Sequence, residues 1–189
     1  RGKEQLRSYG AQIVNATVDC VTDNDRTLTA TLSNGETIAA RSIIVASGVD
    51  DEHPAIPGLQ ENWGNTVLHC PYCHGYEVAD KKLGVLYIGE FSFHHAAVLR
   101  QWSNDITFFT NGMEFTDEQR ADLTRRGIAL IDGPVTAFQD GKVLLESDAH
   151  AVDALFYMPI PRPHDEFLAD LNLERHSPPS VSYTHLTLP

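Results

Sequence analysis

In its middle third the sequence alternates apolar strand-like runs with helix-like segments, and this alternation constrains the fold more than any other feature. Residues 83–88 and 106–109 are apolar runs typical of buried strands, with a helix predicted through residues 96–102 between them. A second helix opens at the N-cap residue Thr116 and closes at Gly127. Strand, helix, strand, helix, strand at this spacing predicts a βαβαβ unit with a parallel sheet. The predicted fold class is therefore α/β, with a Rossmann-like three-layer unit of the nucleotide-binding type.

Segments with a different pattern flank this unit on both sides. Residues 12–46 predict a β-meander, because residues 13–21 alternate at period two, turn signals follow at 23–25 and 33–36, and the last strand ends in the apolar run 43–46. A small strand pair is predicted within residues 135–145. The Pro-rich stretches at residues 53–58 and 159–163 predict linkers. Two linkers around one unit indicate that one domain is inserted into another.

The excess of acidic residues argues against nucleic acids and anionic membranes as binding partners. The sequence has 26 acidic and 14 basic residues and a formal net charge of −12, whereas surfaces that bind nucleic acid or anionic membranes cluster Lys and Arg. No apolar run approaches the ~20 residues that span a bilayer, and the start shows no signal-peptide pattern. We therefore expect a cytoplasmic protein that binds neither nucleic acid nor membrane.

The run from Cys70 to Glu77, Cys-Pro-Tyr-Cys-His-Gly-Tyr-Glu, carries the predicted chemistry. Two thiols three residues apart can close a small disulfide with little backbone movement and exchange two electrons with a neighbouring carrier. If Cys70 begins a helix, the backbone N–H groups there stabilise its thiolate. His74 follows Cys73 and His69 precedes Cys70, and either imidazole could move a thiol proton near neutral pH.

Three other kinds of site share parts of this pattern. Cys-Pro-Tyr-Cys is also the signature of glutaredoxin-like proteins, but there it follows the first strand, whereas Cys70 lies well inside this chain. Cys-x-x-Cys-His attaches c-type haem, which would need export and an axial ligand from Met113 or Met158. A structural zinc site normally has a second Cys/His pair, and none is visible at matching spacing. The residues by themselves leave these alternatives open.

Three features together resemble the thioredoxin reductase-like family of FAD-dependent pyridine nucleotide–disulfide oxidoreductases. They are the ending Ala46-Ser47-Gly48, the linker to Pro57-Gly58, and a Cys-x-x-Cys just before a βαβ unit. The run Cys70–Glu77 is similar to the thiol-oxidoreductase branch of that family. The resemblance implies three segments: a partial FAD-binding domain at 1–49, an inserted pyridine-nucleotide-type domain with the cysteines at 50–160, and a return to the FAD domain at 161–180.

Both ends of the sequence are unlike those of a complete protein. The chain opens inside an apparent helix end at residues 3–10, and residues 181–189 resemble a translated sequencing adapter, which predicts a non-native tail. The family's N-terminal G-x-G-x-x-G and its C-terminal Gly-Asp segment, which hold FAD, are not in the sequence. We therefore expect a fragment truncated at both ends.

The resemblance also implies roles for the matching residues. Cys73 would be the thiol next to the flavin, Cys70 would exchange with substrate, and His74 stands where thioredoxin reductases carry an acid/base Asp. Ala46-Ser47-Gly48 would pass close to FAD, and Val18 would contact its adenine through the backbone. The implied enzyme is an FAD-dependent disulfide oxidoreductase acting on a small-molecule or small-protein dithiol or disulfide, as a homodimer.

The dinucleotide fingerprint of the inserted unit departs from the family pattern. Gly89 holds the first glycine position, but Phe91 stands at the second and His94 at the third. A side chain at the second position blocks the approach of the backbone to a pyrophosphate. Where the relatives carry His-Arg-Arg, this sequence has Thr110-Asn111-Gly112. We therefore expect no NADPH use and a dithiol oxidase in preference to a reductase, with His94 and His95 on a helix surface.

Overall fold

The computed structural model describes residues 2–24 and 27–173, which form two compact units. The larger unit runs from Asp51 to Ile160, and the smaller unit holds the chain before and after it. Across both units, the described residues form the helices α1 (Gly2–Ser8), α2 (Pro71–His74), α3 (Phe91–Leu99) and α4 (Asp117–Arg125), with 3₁₀ helices at Gly75–Val78 and Glu166–Leu171. The strands are β1 (Val18–Asp23), β2 (Leu28–Leu32), β3 (Thr37–Ala40), β4 (Val49–Glu52), β5 (Val67–Leu68), β6 (Leu83–Leu86), β7 (Ile106–Phe109), β8 (Ala129–Ile131), β9 (Ala137–Gln139), β10 (Lys142–Leu144), β11 (Ala149–Ala151), β12 (Ala154–Phe156) and β13 (Ile160–Pro163).

A five-stranded parallel sheet forms the centre of the larger unit, with the strand order β5-β12-β6-β7-β8. Every pair of neighbouring strands in this sheet runs parallel. The elements β6, α3, β7, α4 and β8 follow one another along the chain, and the three strands lie side by side. The α/β fold class and the βαβαβ unit predicted from the sequence are therefore confirmed.

Side chains alternate between the two faces of this sheet, because successive residues of a strand point in opposite directions. Val85 and Phe108 pack with residues of α3 and α4, whereas Leu86 and Phe109 pack with residues of a small antiparallel sheet, β11-β10-β9. Burying one such side chain contributes about 1.5–3 kcal/mol. The unit thus has three layers, with helices on one face and a β-sheet on the other. The third strand of that sheet, β11, was not predicted.

Thr116 and Gly127 bound α4 as predicted. The hydroxyl oxygen of Thr116 accepts a hydrogen bond from the N–H of Gln119 at 3.2 Å, and the Gln119 side chain accepts one from the Thr116 N–H at 2.9 Å. Gly127 adopts a φ of +69°, and its N–H donates to the carbonyl of Thr124 at 2.9 Å. These contacts satisfy backbone groups that a helix leaves unpaired at each end.

The predicted β-meander is present in the smaller unit, where β1, β2 and β3 pair in antiparallel fashion. Val21 and Leu28 of these strands pack with Leu168 of the second 3₁₀ helix. The prediction of a strand at residues 43–46 is wrong: the run has no regular structure, and Ile44 is 93% exposed. A strand needs a hydrogen-bonded neighbour, and none of the described strands lies beside this run.

The stretch 53–58, predicted as a linker, packs into the larger unit. The carbonyl of Pro57 accepts a hydrogen bond from the N–H of Phe138 at 2.8 Å, and Leu59 is completely buried. The second Pro-rich stretch contributes β13, which pairs with β4 in a two-stranded sheet. Proline spacing alone therefore did not distinguish a packed segment from a connecting one.

Residues 174–189 lie outside the described residues, and they include the tail predicted at 181–189 and the end of the 161–180 segment. Within the described part of the chain, no helix combines the length and the apolar character needed to cross a bilayer. The cytoplasmic location stays a prediction.

Candidate functional site

Cys70 and Cys73 follow β5, an edge strand, at the carboxyl end of the parallel sheet. Cys70 is the N-cap of α2, and Pro71 takes the first helical position, where its missing N–H costs no hydrogen bond. The turn of helix brings Cys73 over Cys70, whose carbonyl accepts from the Cys73 N–H at 3.1 Å. The two sulfurs lie 2.8 Å apart as free thiols. The structure thus brings together the two residues that the sequence singled out.

The proton between the two sulfurs belongs to Cys73. The Cys73 thiol donates to the sulfur of Cys70, and this hydrogen bond raises the pKa of Cys73, with smaller contributions from burial and from the charge of the Cys70 thiolate. A hydrogen bond received in this way stabilises negative charge on the Cys70 sulfur. Since the thiolate is the nucleophile in thiol–disulfide exchange, the arrangement favours attack by Cys70.

His74 ends α2 and is held by an acidic partner on the next helical turn. Its Nδ1 lies 3.3 Å from a carboxylate oxygen of Glu77. A carboxylate in this position selects the ring tautomer and orientation. Among the described residues, His74 makes no hydrogen bond to either thiol. Nor does any group of three or more His, Cys, Asp or Glu side chains in that part of the chain have a metal-holding arrangement.

His69, on the other side of the cysteines, is stacked against an aromatic ring. Its centroid lies 5.9 Å from that of Trp63 with 23° between the ring planes. Trp63 in turn meets the edge of His53 at 4.5 Å. Burial lowers the pKa of His69, the carboxylate of Asp51 opposes that effect, and the charge of His74 adds to it. His69 is thus neutral at pH 7 with a carboxylate within electrostatic range.

His95 is buried, with 2% of its surface exposed, so its predicted place on a helix surface is wrong. His94 is exposed, as predicted. Neighbouring helical residues point about 100° apart, and His95 shares its side of α3 with Ser92 and Leu99, which are both buried. Burial lowers the pKa of His95 to about 4, and the nearby charges of His69 and His94 lower it further. Its Nδ1 has no hydrogen-bond partner within the described residues.

The fingerprint positions lie where β6 leads into α3. A Cβ added at Gly89 would meet no atom within 4 Å, whereas Phe91 is the first residue of α3 and keeps 42% of its surface exposed. An open groove of ≈370 Å³ lies between α3 and α4. Its lining includes the carboxylates of Glu90, Glu118 and Asp122. Asp122 is ion-paired with Arg125 and Arg126, which leaves Glu90 and Glu118 as the acidic groups of the groove without an ion pair among the described residues.

The residues that the resemblance assigns to FAD lie in the smaller unit. Val18 begins β1 and is half-buried, while residues 46–48 are exposed just before β4. Gly48 has a φ of +82°, and its carbonyl accepts a hydrogen bond from the N–H of His164 at 3.1 Å. The His164 ring lies 3.0 Å from a carboxylate oxygen of Asp50, which raises the pKa of His164.

The chain is similar to several proteins of known sequence or structure. No family model matches the chain. The crystal structure of HlmI superposes with a TM-score of 0.81 at 38% identity over 93% of this chain, and an oxidoreductase from Agrobacterium tumefaciens with 0.80 at 32% identity over 93%. Thioredoxin reductase tcpT of Claviceps purpurea is 38% identical over 85 residues, 42% of this chain. The chain is therefore similar in sequence to thioredoxin reductases and in fold to an oxidoreductase of known structure.

The chain spans only part of each of these proteins. It covers 58% of the HlmI chain, 61% of the Agrobacterium oxidoreductase and 26% of the Claviceps reductase. The thioredoxin reductase of Gibberella zeae matches at 35% identity over 109 residues, 44% of this chain and 32% of that protein.

Proposed function

We propose that this chain works in an FAD-dependent thiol–disulfide oxidoreductase. In this role Cys70 and Cys73 pass two electrons between a dithiol or disulfide substrate and the flavin. The observation that carries the proposal is the 2.8 Å approach of the two sulfurs at the start of α2, in a chain whose relatives are named thioredoxin reductases. The substrate is a small-molecule or small-protein dithiol or disulfide, and the working form is a homodimer.

Residues 1–49 and 161–180 would belong to a partial FAD-binding domain, and residues 50–160 to a pyridine-nucleotide-type domain inserted into it. The segment 43–46 fits a ligand-binding role in one respect: its backbone forms no hydrogen bond with another backbone group of the described residues. By the family resemblance, residues 46–48 and Val18 would lie against FAD, with Ala46 as the member of the unbonded segment, since the Gly48 carbonyl already accepts from His164. When bound, FAD supplies a two-electron acceptor.

Two observations bear on which thiol meets the substrate. The hydrogen bond from Cys73 stabilises negative charge on the Cys70 sulfur, which favours Cys70. Exposure favours the opposite assignment, because Cys73 is exposed and Cys70 is half-buried. We assign substrate exchange to Cys70, since nucleophilic attack depends on ionisation before it depends on exposed area. Cys73 would then exchange electrons with the flavin.

Single-cysteine variants test this assignment with a chromogenic aryl disulfide and with the flavin-loaded enzyme. The C73S variant should react with the aryl disulfide at its remaining thiol, Cys70, and should no longer reduce flavin. The C70S variant should react more slowly, because Cys73 lacks the N-cap position of α2, where unpaired backbone N–H groups stabilise a thiolate at Cys70. It should leave flavin reducible but without turnover. Faster reaction of C70S with the aryl disulfide would reverse the assignment.

The finer proposal is a dithiol oxidase that does not use NADPH. The ring of Phe91 stands at the start of α3, where a pyrophosphate would need a close backbone approach. The adjacent groove carries Glu90 and Glu118, and carboxylates repel the phosphates of a dinucleotide. Each unmade or blocked contact with a charged group costs about 1–3 kcal/mol. Tight NADPH binding is therefore disfavoured at two independent points.

Stopped-flow mixing of the flavin-loaded enzyme tests the oxidase proposal. Excess NADPH should leave the flavin absorbance unchanged on the seconds timescale, whereas a small dithiol should bleach it in a reaction that needs both cysteines. The F91G variant serves as a matched control. It removes the ring but keeps the acidic groove, so that any gain of NADPH reactivity would be partial. Fast bleaching of the wild-type flavin by micromolar NADPH would contradict the proposal.

A further inference from the structure

Gly75 follows the helical turn that carries Cys70 and Cys73, and its backbone conformation does not require glycine. Its φ of −58° and ψ of −37° are right-handed helical values that any residue adopts. A Cβ at this position would nevertheless collide with the indole ring of Trp102, at the atoms Nε1, Cδ1 and Cε2. Glycine is therefore needed here for a single reason, the close approach of the Trp102 ring to the backbone.

Backbone hydrogen bonds connect Gly75 to the start of the turn. The N–H of Gly75 donates to the carbonyl of Pro71. The carbonyl of Cys70 accepts from the N–H groups of Cys73 and His74, each at 3.1 Å. A displacement at Gly75 is thus transmitted through these bonds to the backbone of both cysteines, whose sulfurs lie 2.8 Å apart.

The two sides of this helical segment have different surroundings. Residues three or four positions apart share one side of a helix, and the buried residues of the segment have this spacing. The buried residues are Pro71, Gly75 and Val78, and the exposed ones are Tyr72, Cys73, Tyr76 and Glu77. Trp102 therefore supports the turn from the side opposite to the exposed thiol of Cys73.

The backbone and the ring of Trp102 are both held by the rest of the larger unit. Its N–H donates to the carbonyl of Leu99 at 2.8 Å, and its carbonyl accepts from the N–H of Asp80 at 2.9 Å. The ring packs against the buried cluster that includes Val78 and Leu99. Because of these contacts, the ring presents a fixed surface to Gly75.

We propose that Trp102 is a positioning residue that stabilises the Cys70–Cys73 disulfide relative to the dithiol. The disulfide holds the turn closed by a covalent bond, whereas in the dithiol form only noncovalent contacts do so. Support from Trp102 therefore removes conformational freedom mainly from the dithiol form, and it raises the effective concentration of one thiol at the other. This inference rests on the proposed function, because it concerns the equilibrium of the same two cysteines.

The expected effect of Trp102 is on the reduction potential of the cysteine pair. In a glutathione buffer, reduction breaks the Cys70–Cys73 bond, and two glutathione thiols supply the two electrons and two protons as they join in glutathione disulfide. A more stable Cys70–Cys73 disulfide shifts this equilibrium towards the oxidised chain, which corresponds to a lower reduction potential. The dithiol form is then the stronger reductant, which favours passage of its electrons to a flavin.

Equilibration of the chain with glutathione buffers, acid quench and alkylation mapped to the peptide with Cys70 and Cys73 measures this equilibrium without flavin. The W102L variant should lower the equilibrium constant for disulfide formation by about tenfold, the effect of freeing the backbone of one residue in the dithiol form. For a two-electron couple this change corresponds to about 30 mV. W102F keeps an aromatic ring and should lie between wild type and W102L.

A double variant tests whether the effect passes through Gly75. G75A should lower the equilibrium constant, because its methyl group and the Trp102 ring cannot occupy the same space. Leucine at position 102 leaves room for that methyl group, so G75A/W102L should lie within about twofold of W102L. The two Trp102 variants keep glycine at position 75, so the test does not depend on the folding of G75A.

Gly84 provides the matched control for overpacking. A Cβ there would lie 2.8 Å from Cδ1 of Leu155, in the cluster on the other face of the central sheet. The G84A variant should therefore lose unfolding free energy but keep the wild-type equilibrium constant of the cysteine pair.

An unchanged or raised equilibrium constant in W102L, or an equal decrease in G84A, would overturn the role of Trp102 and leave the proposed function standing. A Cys70–Cys73 disulfide that never forms in glutathione disulfide would overturn both. A disulfide that forms and responds to W102L as expected, in a flavin-loaded enzyme whose dithiol does not reduce the flavin, would uphold the role of Trp102 and overturn the proposed function.

Discussion

Single residues decide whether the segment that precedes the cysteines can pack as it does. Gly58 has a φ of +89°, in the left-handed region, and a Cβ at this position would collide with the carbonyl oxygen of Phe138. Glycine is needed there for two reasons, the backbone conformation and the close approach of a second chain segment. The Asn62 side chain also donates to the Gly58 carbonyl at 2.7 Å, so the turn is held from both sides.

We expect the G58A variant to lose about 2–5 kcal/mol of unfolding free energy, the sum of the positive-φ cost and of overpacking. Gly64 is the matched control, since it lies in the same unit with a φ of +76° and has no atom within 4 Å of an added Cβ. The G64A variant should therefore lose only the conformational part, about 1–2 kcal/mol. Urea unfolding of both variants measures the difference. Equal losses would show that the collision is relieved by local movement.

Among the elements, α4 has the most complete N-terminal capping signal in its sequence. Thr116 and Gln119 exchange two hydrogen bonds at its N-terminus, and Asp117 and Glu118 place negative charge in its first turn. The bidentate pair of Arg120 with Asp132 is exposed and contributes little to stability. The stability of this element therefore depends more on its cap than on its surface ion pairs.

Replacing the cap residue in T116A should lower the unfolding free energy by about 1 kcal/mol, because one backbone N–H of the first turn loses its acceptor. T116S and T116D should keep most of the stability. T124A is the control, because Thr124 lies inside the same helix, where its hydroxyl donates to the Arg120 carbonyl at 2.9 Å and alanine has the higher helix propensity. Thermal unfolding in parallel would contradict the cap assignment if T116A and T124A had the same midpoint.

In each of the two units, segments that are far apart in sequence pack against each other. β12 lies between β5 and β6 in the parallel sheet, although many residues separate it from both in sequence. In the smaller unit the second 3₁₀ helix, Glu166–Leu171, supplies Leu168 to a core otherwise made by the meander. Each unit therefore closes only when a late segment of the chain returns to an early one.

Local signals predicted a large part of this structure. The βαβαβ unit, the meander, and the start and end of α4 follow from periodicity and from residues with specific backbone preferences. The pairing of Cys70 with Cys73 follows from their three-residue spacing and from Pro71, which favours a helix start. These features depend on neighbours within a few residues, which the sequence displays directly.

The surroundings of the cysteines required the tertiary structure. Trp63 stacks on His69 because the turn before β5 folds back, and Tyr157, directly after the neighbouring strand β12, contacts Trp63. His95 is buried because its side of α3 faces the sheet, although the adjacent His94 is exposed. By itself the sequence determined which local elements form and which two thiols meet. Only tertiary packing decided which histidines are buried, stacked or close to a carboxylate, because those properties depend on side chains brought together from distant parts of the chain.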